Sequence, residues 1–517
     1  MRKNRRAKED RKEAKTTTVA PDEVLDLKAA TEFLKVSKPT FYRWLAQGKL
    51  KGFKVGQQWR FYRRDLEKFL ESEEPVVIPA GVDEIEQAVL AARRARGLPP
   101  IKWDEPGQLL APPEPSGAPD ESVIPRVVNT IIADAIDARA SDIHMDANAD
   151  EIRVRYRVDG VLTEAMTLPR KAQPPIVSRL KLQGDMNVVE RRLPQNGRIA
   201  VRHHGRDYDL RLTTVPAIFG ESVVLRILDQ SSILIGFNKL GISDRMREAF
   251  ERKLREPQGL IIVTGPSGSG RTTTLYSALN LINSPRVKVI TIENPVEYRL
   301  RDVMQVHVNR KAGLTVAVGM RMFMRCDPDI LMVGDLQDLE TAEICIQAAM
   351  TGHIMLTAML PHDSVSVITR LIEMGVEPFL VGASLSAVLA QRLLRKVCAS
   401  CQTEYQPSRE GLRRLGMSDD EIAHTKFYRG AGCEQCMHTG YYGRTGVFEL
   451  LEVDDRLREM IARCASAAEM REAAIQSGMV TMLQDGLEKA KQGITTIEEL
   501  MRVVATGGPR SEEPTTT

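Results

Sequence analysis

Residues 152–158 alternate apolar and polar side chains. A period of two predicts a β-strand with one buried face, and the Asp-Gly pair that follows at 159–160 predicts a hairpin turn. Strands of this kind mix with helical patterns through residues 122–237, which predicts an α+β domain. In residues 238–395 apolar runs of strand length alternate with helical patterns, and this order predicts a parallel α/β sheet.

Changes in pattern and composition divide the chain into eight segments. Seven prolines fall between residues 99 and 119, which predicts an extended, semi-rigid linker; one amphipathic helix, at about 82–96, interrupts it. The predicted segments are a disordered basic tail (1–17), a small compact domain (18–72), the linker (73–121), the α+β domain (122–237), the α/β domain (238–395), a cysteine-rich subdomain (396–450), a C-terminal helical region (451–504) and a disordered tail (505–517).

The net charge of +3 is too small to predict nucleic-acid binding by the chain as a whole. Residues 1–15 carry eight Lys or Arg against three Asp or Glu and hold no apolar run, so they do not form a secretory signal. The longest largely uncharged stretch, 378–390, is too short to cross a bilayer. Four of the seven cysteines lie in CxxC pairs, which suits a metal site in a reducing compartment. We therefore expect a cytoplasmic protein without a transmembrane segment.

Near the N-terminus the pattern is that of two short helices followed by a hairpin. One apolar face predicts a first helix near residues 27–34, and a second is predicted at about 38–47. Two alternating segments, 52–55 and 59–62, predict a β-hairpin wing. Over about fifty residues this pattern resembles the excisionase/MerR-type winged helix-turn-helix.

The charge of this module suits a DNA partner but does not require one. Between residues 35 and 68 there are ten Lys or Arg and only two Asp or Glu. A basic helix-turn-helix with a wing places a helix in the major groove and the wing on phosphates, with Arg43 and Arg60 expected to face the duplex. Modules of this type also dock proteins, so a DNA partner and a protein partner both stay open for residues 18–72.

Residues 259–276 have the pattern of a phosphate-binding loop with one member changed. An apolar strand at 260–263 precedes a glycine-rich turn, and the turn opens a helix whose first amides can bind phosphate oxygens. In the general motif GxxxxGK[ST], a lysine reaches the phosphates and the next hydroxyl holds magnesium; here Arg271 replaces the lysine and Thr272 keeps the hydroxyl. The predicted ATP-binding residues of the loop are Gly265, Pro266, Ser267, Gly268, Ser269, Gly270, Arg271, Thr272 and Thr273, and Thr272 is also a predicted magnesium ligand.

Several further motifs accompany this loop. They lie at residues 140–144, 192–198, 220–226, 291–298, 325–335, 351–353 and 443–446. Together they strongly resemble the type II secretion and type IV pilus assembly ATPases over about residues 122–505, in unbroken order. The resemblance implies a RecA-like P-loop core preceded by an α+β domain, assembled as a hexamer beneath an inner-membrane platform protein.

The resemblance also implies roles for residues outside the loop. Arginines of the α+β domain, Arg198, Arg211 and Arg226 by motif position, would reach a nucleotide bound at the interface. Asp335 follows an apolar strand beside the loop, and Glu293 and Glu297 follow another, where they can order magnesium or water. His353, in the Thr-Gly-His motif, is expected near the nucleotide. His203 and His204 are interpreted as ordinary surface residues.

Polar positions of the site depart from the family pattern. The family has lysine at Arg271, aspartate at Asn294, glutamate at Asp335, arginine at Gln337, histidine at Leu360 and aspartate at Asn196. Several changes within one site agree in direction, so we expect nucleotide binding with weakened hydrolysis, and whether the chain is a working ATPase stays open. The sequence thus predicts an ATP-binding oligomer that powers or regulates type II secretion or type IV pilus assembly. The alternative is a DNA-binding regulator that uses the nucleotide-binding ring for oligomerisation.

The two CxxC pairs predict a metal site. Cys398 and Cys401 form one pair, Cys433 and Cys436 the other, and thirty-one residues separate them. Two such knuckles can supply four thiolates to one tetrahedral zinc ion, which makes a closed structural site. The secretion-ATPase resemblance favours zinc, because many members carry this element. The alternative is four reduced thiols or a redox pair.

Overall fold

The computed structural model of the chain describes residues 24–34, 41, 45, 50, 52–55, 58–66, 82–96, 98, 123–229 and 236–505. The chain divides into two compact units, Met1–Val82 and Asp83–Thr517. Both predicted tails, the proline-rich stretch at 99–119 and most of the predicted second helix of the N-terminal module lie outside the described residues.

The first unit contains the predicted first helix and hairpin. Its elements are β1 (Val24–Asp26), α1 (Leu27–Phe33), β2 (Phe53–Val55) and β3 (Gln58–Tyr62), with strand order β1-β3-β2. The helix and hairpin predictions are confirmed, and β1 is an additional strand that the sequence analysis did not predict. Residues 41 and 45 of the predicted second helix are helical. The ring of Phe41 packs edge-on against Phe61 at 4.8 Å between centroids, which gives this small unit a buried centre.

The α+β domain opens the second unit with a six-stranded antiparallel sheet of order β6-β5-β4-β9-β8-β7. Alternating apolar side chains put one face of this sheet against α3, whose apolar side is buried. The bounds are α2 (Val82–Ala95), α3 (Val123–Asp137), β4 (Ala140–Ala147), β5 (Glu151–Val158), β6 (Val161–Pro169), α4 (Gln173–Gln183), β7 (Gln195–His203), β8 (Arg206–Ala217) and β9 (Gly220–Asp229).

Helix α2 is the amphipathic helix that was predicted inside the linker. Its buried residues Ile85 and Val89 belong to the same core as α3 and the sheet. All of α2 except its first residue lies in the second unit. This part of the predicted linker therefore packs as part of the α+β domain, because its apolar face finds a partner there.

The α/β domain is built on a seven-stranded sheet of order β12-β11-β13-β14-β10-β15-β18. All neighbouring pairs are parallel except β15 with β18. The central strands are apolar throughout because helices cover both faces, as is usual for parallel sheets. The bounds are α5 (Asp244–Leu254), β10 (Gly259–Thr264), α6 (Arg271–Ile282), β11 (Val289–Glu293), β12 (Met304–His307), α7 (Val316–Phe323), β13 (Ile330–Val333), α8 (Leu339–Met350), β14 (Ile354–Met359), α9 (Ser364–Glu373), α10 (Pro378–Ser384), β15 (Leu385–Val397) and β18 (Tyr441–Glu452).

The cysteine-rich segment is an excursion from this sheet, because β15 leads into it and β18 leads out. It holds a two-stranded sheet, β16 (Gln402–Tyr405) with β17 (Phe427–Gly430), and two short helices, α11 (Arg409–Arg414) and α12 (Asp419–His424). Four C-terminal helices follow, α13 (Asp455–Ala462), α14 (Ala467–Gln476), α15 (Met482–Lys491) and α16 (Ile497–Leu500), and they contribute buried side chains to the sheet's core clusters. Within the described ranges, no helix has the length and apolar character that crossing a bilayer requires.

Candidate functional site

The phosphate-binding loop leaves the carboxyl end of β10, the strand between β14 and β15. All six residues of β10 are buried, and α6 begins at Arg271 directly after the loop. Gly265, Gly268 and Gly270 have φ of 149°, 78° and 90°, a region that favours glycine. A Cβ atom on Gly265 would lie 2.4 Å from the backbone oxygen of Gln391. The loop conformation therefore requires glycine here for both backbone angle and space.

A buried glutamine on β15 holds the loop, and the sequence analysis missed it. The Nε2 of Gln391 donates to the backbone oxygen of Ser269 at 2.7 Å, and its Oε1 accepts from the Thr274 hydroxyl at 2.8 Å. Gln391 is 2% exposed. One side chain thus joins the end of the loop to the first turn of α6. A lone amide directly after the largely apolar residues 385–390 was the available signal.

Arg271 and Asp335 meet where β10, β13 and β14 end. The Nη1 of Arg271 donates to the backbone oxygen of Met359 at 2.5 Å and lies 3.8 Å from Asp335 Oδ1. Burial lowers the pKa of Arg271, and the nearby Asp335 carboxylate offsets part of that shift; the guanidinium still stays protonated. The guanidinium is therefore held by the strand ends beside the loop.

One oxygen of the Asp335 carboxylate lacks a hydrogen bond. Its Oδ2 accepts from Gln337 Nε2 at 2.8 Å, whereas its Oδ1 is buried and accepts none. A buried acceptor without a partner is costly. The Asp335 Oδ1 atom has the Arg271 guanidinium 3.8 Å away but no hydrogen bond, so it is the place in this site where a metal ion or an ordered water would supply the missing partner.

Glu293, at the end of β11, is already fully hydrogen-bonded. It is 3% exposed; its Oε2 accepts from the Tyr276 hydroxyl, and its Oε1 accepts from Thr291 at 2.7 Å and Gln305 at 3.1 Å. Burial, and then the bond to Glu293, raise the pKa of Tyr276 far above its usual value. Glu293 therefore has less freedom to bind an ion than Asp335.

Three arginines of the α+β sheet form one row. The strand register places Arg198 on β7 opposite Arg211 on β8, and Arg211 opposite Arg226 on β9. Like charges directly opposite each other are destabilising, and each arginine here has an acid partner. Arg198 pairs with Asp209, and Arg226 pairs with Asp142 at 3.0 Å.

The middle arginine joins the two domains of the second unit. The Nη1 of Arg211 lies 3.3 Å from Glu297 Oε1, and its Nη2 donates to the backbone oxygen of Val296 at 3.3 Å. The side chains of Arg198 and Arg226 are 68% and 64% exposed. The structure therefore places Arg211 beside the α/β domain of its own chain and leaves the side chains of Arg198 and Arg226 largely exposed.

Two cavities flank the loop. A cleft of about 480 Å³ is lined by Arg271, Thr272, Glu293, Glu297 and Asp335, among others. A smaller cavity of about 180 Å³ on the loop itself is lined by the predicted residues Pro266, Ser267, Gly268 and Ser269 and by the arginines Arg392, Arg444 and Arg502. Most of the predicted site residues are thus brought together around one loop. The sequence analysis did not assign the three arginines of the smaller cavity to the site.

The predicted position of His353 near the nucleotide is wrong within this chain. His353 directly precedes β14, and its backbone oxygen accepts from Gly259 at the start of β10. Strands β10 and β14 are parallel and in register over six residues, so His353 lies at the opposite edge of the sheet from the loop, about 20 Å away at roughly 3.3 Å per residue. Its ring instead approaches the backbone oxygen of Ala348 at 3.0 Å.

The four cysteines of the CxxC pairs form one group, here called the tetracysteine cluster. The Sγ atoms of Cys398 and Cys433 are 3.8 Å apart, those of Cys401 and Cys436 are 3.9 Å apart, and those of Cys433 and Cys436 are 3.7 Å apart. A tetrahedral ion with Zn–S bonds of about 2.3 Å places its sulfurs about 3.8 Å from each other. The cluster therefore has the spacing of a metal site.

Backbone amides around the cluster support thiolates. Gly432 donates to Cys401 Sγ at 3.3 Å, and Cys433 and Gly440 donate to Cys436 Sγ at 3.2 and 3.3 Å. Burial raises the pKa of Cys436, but hydrogen bonds from the Cys433 and Gly440 amides and from the Cys433 and Cys401 thiols outweigh it and bring the pKa to about 7. Burial and the neighbouring thiols instead raise the pKa of Cys401 to about 12, so the amides favour the thiolate most clearly at Cys436. Four converging sulfurs with amide donors can hold a metal ion.

The fold and the loop define a P-loop nucleotide-binding protein with an attached cysteine cluster. Residues 117–502 match the family model described as "Type II/IV secretion system protein", and the chain belongs to this family. Residues 24–74 match a model described as "Helix-turn-helix domain". Both resemblances inferred from the motifs are confirmed.

Named relatives agree with this assignment. The chain is 45% identical over 382 residues to "Type IV pilus assembly ATPase PilB" of Thermus thermophilus, covering 74% of this chain and 43% of that protein. It is 42% identical over 384 residues to "Type II secretion system protein E" of Pseudomonas aeruginosa, covering 74% and 76%. The match therefore spans less than half of the Thermus relative.

A solved structure supports the fold. The "ATPase DotB" of Legionella pneumophila superposes with a TM-score of 0.54 at 18% identity, covering 77% of this chain and 99% of that one. At this level of identity the likeness concerns the fold alone. The predicted arrangement of a P-loop core behind an α+β domain is confirmed.

Proposed function

We propose that this chain binds ATP and serves type II secretion or type IV pilus assembly as a ring-forming subunit whose hydrolysis is weakened. Family membership and the intact glycine turn support nucleotide binding. The observation that carries the weakened hydrolysis is the contact of Arg271 with Met359 and Asp335. A guanidinium held there is a planar fork on a long stem, whereas the motif's lysine is a compact charge.

The size of the expected loss in hydrolysis rate follows from the shorter side chain of Asp335. Asp335 withdraws its oxygens by one C–C bond, about 1.5 Å, relative to the glutamate of the resembling family. A misplacement of about 1 Å can cost on the order of a hundredfold in rate, or about 3 kcal/mol. Leu360, 52% exposed after β14, has no group that could hydrogen-bond a phosphate. These losses point in the same direction.

Magnesium would be held by the Thr272 hydroxyl and by Asp335. Thr272 is exposed at the first turn of α6 and lines the same cleft as Asp335. The Oδ1 of Asp335, which accepts no hydrogen bond, is the kind of oxygen ligand that this hard cation prefers. When bound there with a nucleotide, the ion would neutralise phosphate charge. Glu297, paired with Arg211, and Glu293 would orient the surrounding donors and water.

The chain would act as a homo-oligomer, a hexamer by its resemblance, at the cytoplasmic side of an inner membrane and beneath a platform protein. The exposure of Arg198 and Arg226 supports this proposal, because charged groups in a row on an open sheet face are available to a nucleotide at an interface. We also propose zinc as the ion of the tetracysteine cluster. Metal analysis of purified protein giving less than half an equivalent of zinc, with none lost on purification, would contradict the zinc assignment.

Steady-state ATP turnover by the purified oligomer tests the proposal. We expect slow turnover by the unmodified chain and a clear rise in the joint variant Arg271→Lys with Asp335→Glu. Arg310→Lys, an exposed arginine lining the same cleft, is the matched control and should change little. If the unmodified chain turns over ATP as fast as the joint variant, weakened hydrolysis is refuted. If a labelled adenine nucleotide with magnesium does not bind at all, nucleotide binding fails as well.

A second candidate is a DNA-binding regulator that oligomerises through the nucleotide-binding domain. The helix-turn-helix match at residues 24–74 favours it. Binding to duplex DNA, followed in a salt titration, should weaken in a variant carrying Arg43→Ala and Arg60→Ala, because loss of phosphate contacts reduces affinity and its salt slope. The control is Arg301→Ala, whose side chain is 95% exposed in the second unit. Equal DNA binding by all three proteins would leave residues 18–72 as a protein-docking module.

A further inference from the structure

A second group of metal-type ligands lies in the α+β domain, at the end of α3. It consists of Asp137, the last residue of α3, with His203 at the end of β7 and His204 in the turn to β8, and is here called the Asp-His-His group. The Nε2 of His203 lies 2.7 Å from Asp137 Oδ1, and the Nε2 of His204 lies 3.3 Å from the same oxygen. The interpretation of both histidines as ordinary surface residues is wrong for His203, which is 7% exposed.

The arrangement is more specific than a chance surface contact. The two imidazole rings lie 4.0 Å apart between centroids, and both turn the same ring nitrogen to one carboxylate oxygen. His204 adopts a left-handed φ of 47°, which a non-glycine residue rarely takes without a local reason. That backbone angle belongs to the turn that brings the two histidines to the carboxylate.

We propose that the Asp-His-His group binds a divalent transition-metal ion of the zinc, nickel or copper type through both Nε2 atoms and a carboxylate oxygen of Asp137. Imidazole with a carboxylate suits these ions. Bonds of about 2.0–2.2 Å at tetrahedral angles place ligand atoms about 3.3 Å apart, which is the present separation between His204 Nε2 and Asp137 Oδ1. In the same geometry, the contact between His203 Nε2 and Asp137 Oδ1 must lengthen by about 0.6 Å from its present 2.7 Å.

The surroundings allow this adjustment. All three ligand atoms already lie within 4.8 Å of one another. The side chains of Asp137 and His204 are 47% and 69% exposed, so both can move while the buried His203 stays fixed. The same exposure leaves room for water at a remaining coordination position. Arg93 interacts electrostatically with Asp137. The Arg93 guanidinium is paired with Asp134, however, and this limits its competition with a metal ion for the Asp137 carboxylate.

A bound ion would tie the end of α3 to the β7–β8 hairpin. That hairpin carries Arg198, five residues before His203 on the same strand. The ion would thus fasten the sheet edge that presents an exposed arginine of the candidate site, and its role would be structural.

Metal titration of the untagged full-length chain tests the proposal. The protein is first loaded with a single equivalent of zinc, which the four thiolates of the tetracysteine cluster take in preference to imidazole and carboxylate ligands, and is then titrated with Co²⁺, whose spectrum distinguishes ligand types. We expect one further equivalent with d–d bands and without the thiolate-to-cobalt charge-transfer absorption that a cysteine site gives. His204→Ala and Asp137→Asn should each lose that equivalent, and the thermal midpoint of the unmodified chain should rise on metal addition more than that of either variant.

The matched control is His424→Ala. His424 pairs with Asp420 at 3.4 Å on an exposed helix. The substitution therefore removes an imidazole beside a carboxylate and leaves the Asp-His-His group unchanged. It should retain the extra equivalent. Absence of a further equivalent in the unmodified chain, or equal uptake by His204→Ala and Asp137→Asn, overturns the proposal. Circular dichroism checks that both variants fold. If Asp137→Asn does not fold, His204→Ala still tests the proposal, because the side chain of His204 is exposed.

Discussion

Replacing Gln391 by leucine tests whether one buried side chain fixes the phosphate-binding loop. Leucine roughly preserves volume but removes both the Nε2 donor to Ser269 and the Oε1 acceptor for Thr274. Both partners lie inside the protein, where water cannot easily replace the lost bonds. The substitution therefore leaves a buried carbonyl and a buried hydroxyl unpaired.

The cost can be worked from these two groups. An unsatisfied buried donor or acceptor costs about 1–3 kcal/mol, so two of them cost roughly 2–6 kcal/mol before relaxation of the structure. The affected atoms belong to the loop and to the first turn of α6, so the loop conformation bears much of this cost. Each 1.4 kcal/mol borne by the bound conformation lowers affinity about tenfold. We expect nucleotide affinity to fall between about tenfold and a hundredfold.

Fluorescence anisotropy with a labelled ATP analogue measures the affinity, and scanning calorimetry measures the thermal midpoint. Gln402→Leu is the control, because Gln402 is exposed and donates to a single backbone oxygen, that of Gly493. Adding Thr274→Val to Gln391→Leu removes the orphaned hydroxyl, so the two changes should be less than additive by about 1 kcal/mol in a double-mutant cycle. An unchanged affinity in Gln391→Leu, or strict additivity with Thr274→Val, would refute the reasoning.

Three further predictions follow from buried charges and the metal cluster. Burial raises the pKa of Glu499, but hydrogen bonds from Arg502 and Arg395 outweigh it and hold the pKa below 4.5; stability from this carboxylate is present above about pH 4.5 and is lost as pH falls through the lower folded-state pKa. Glu499→Gln should therefore destabilise the protein at pH 7 in urea unfolding, and the difference from the unmodified chain should shrink below pH 4.5. Lys181→Met leaves the buried carboxylate of Glu221, now 2.5 Å from Lys181 Nζ, without its partner and should cost about 3–5 kcal/mol, and equal urea midpoints would contradict this. Removal of the metal ion from the tetracysteine cluster by a chelator should lower the thermal midpoint, and adding the metal back should restore it. A midpoint that does not change after verified metal removal would count against a structural ion.

The sequence supports prediction of the fold where a local pattern repeats. The strict alternation at residues 152–158 predicted the strand observed as β5, and the apolar run before Gly265 predicted β10. Helix α2 was predicted as a helix but assigned to a linker, because amphipathic spacing reveals an apolar face and does not identify what covers it. The N-terminal strand β1 is three residues long, too short for a period of two to be visible.

The site was predicted less completely, because its contacts join distant segments. Gln391 is 122 residues from Ser269, so only the fold reveals that its amide faces the loop. His353 was misplaced because the motif does not state strand direction, and the parallel register of β14 with β10 puts it at the far edge. Glu293 was predicted to order magnesium or water, yet its carboxylate already accepts hydrogen bonds from three other side chains.

Three of the six departures from the pattern of the resembling family lie next to one another, and this affects how they act. Arg271 lies beside Asp335, and Gln337 donates to the second oxygen of the same carboxylate. Arg271→Lys alone would lose the guanidinium's hydrogen bond to the Met359 oxygen. Asp335→Glu alone would place the longer carboxylate against the unchanged Arg271 guanidinium. Residues in one network are not additive, so single restorations should recover less turnover than the sum implied by the joint variant. Substituted side chains that interact with each other, as Arg271, Asp335 and Gln337 do, are expected of a site that has been altered but maintained. Independent loss of function would give substituted side chains that do not interact.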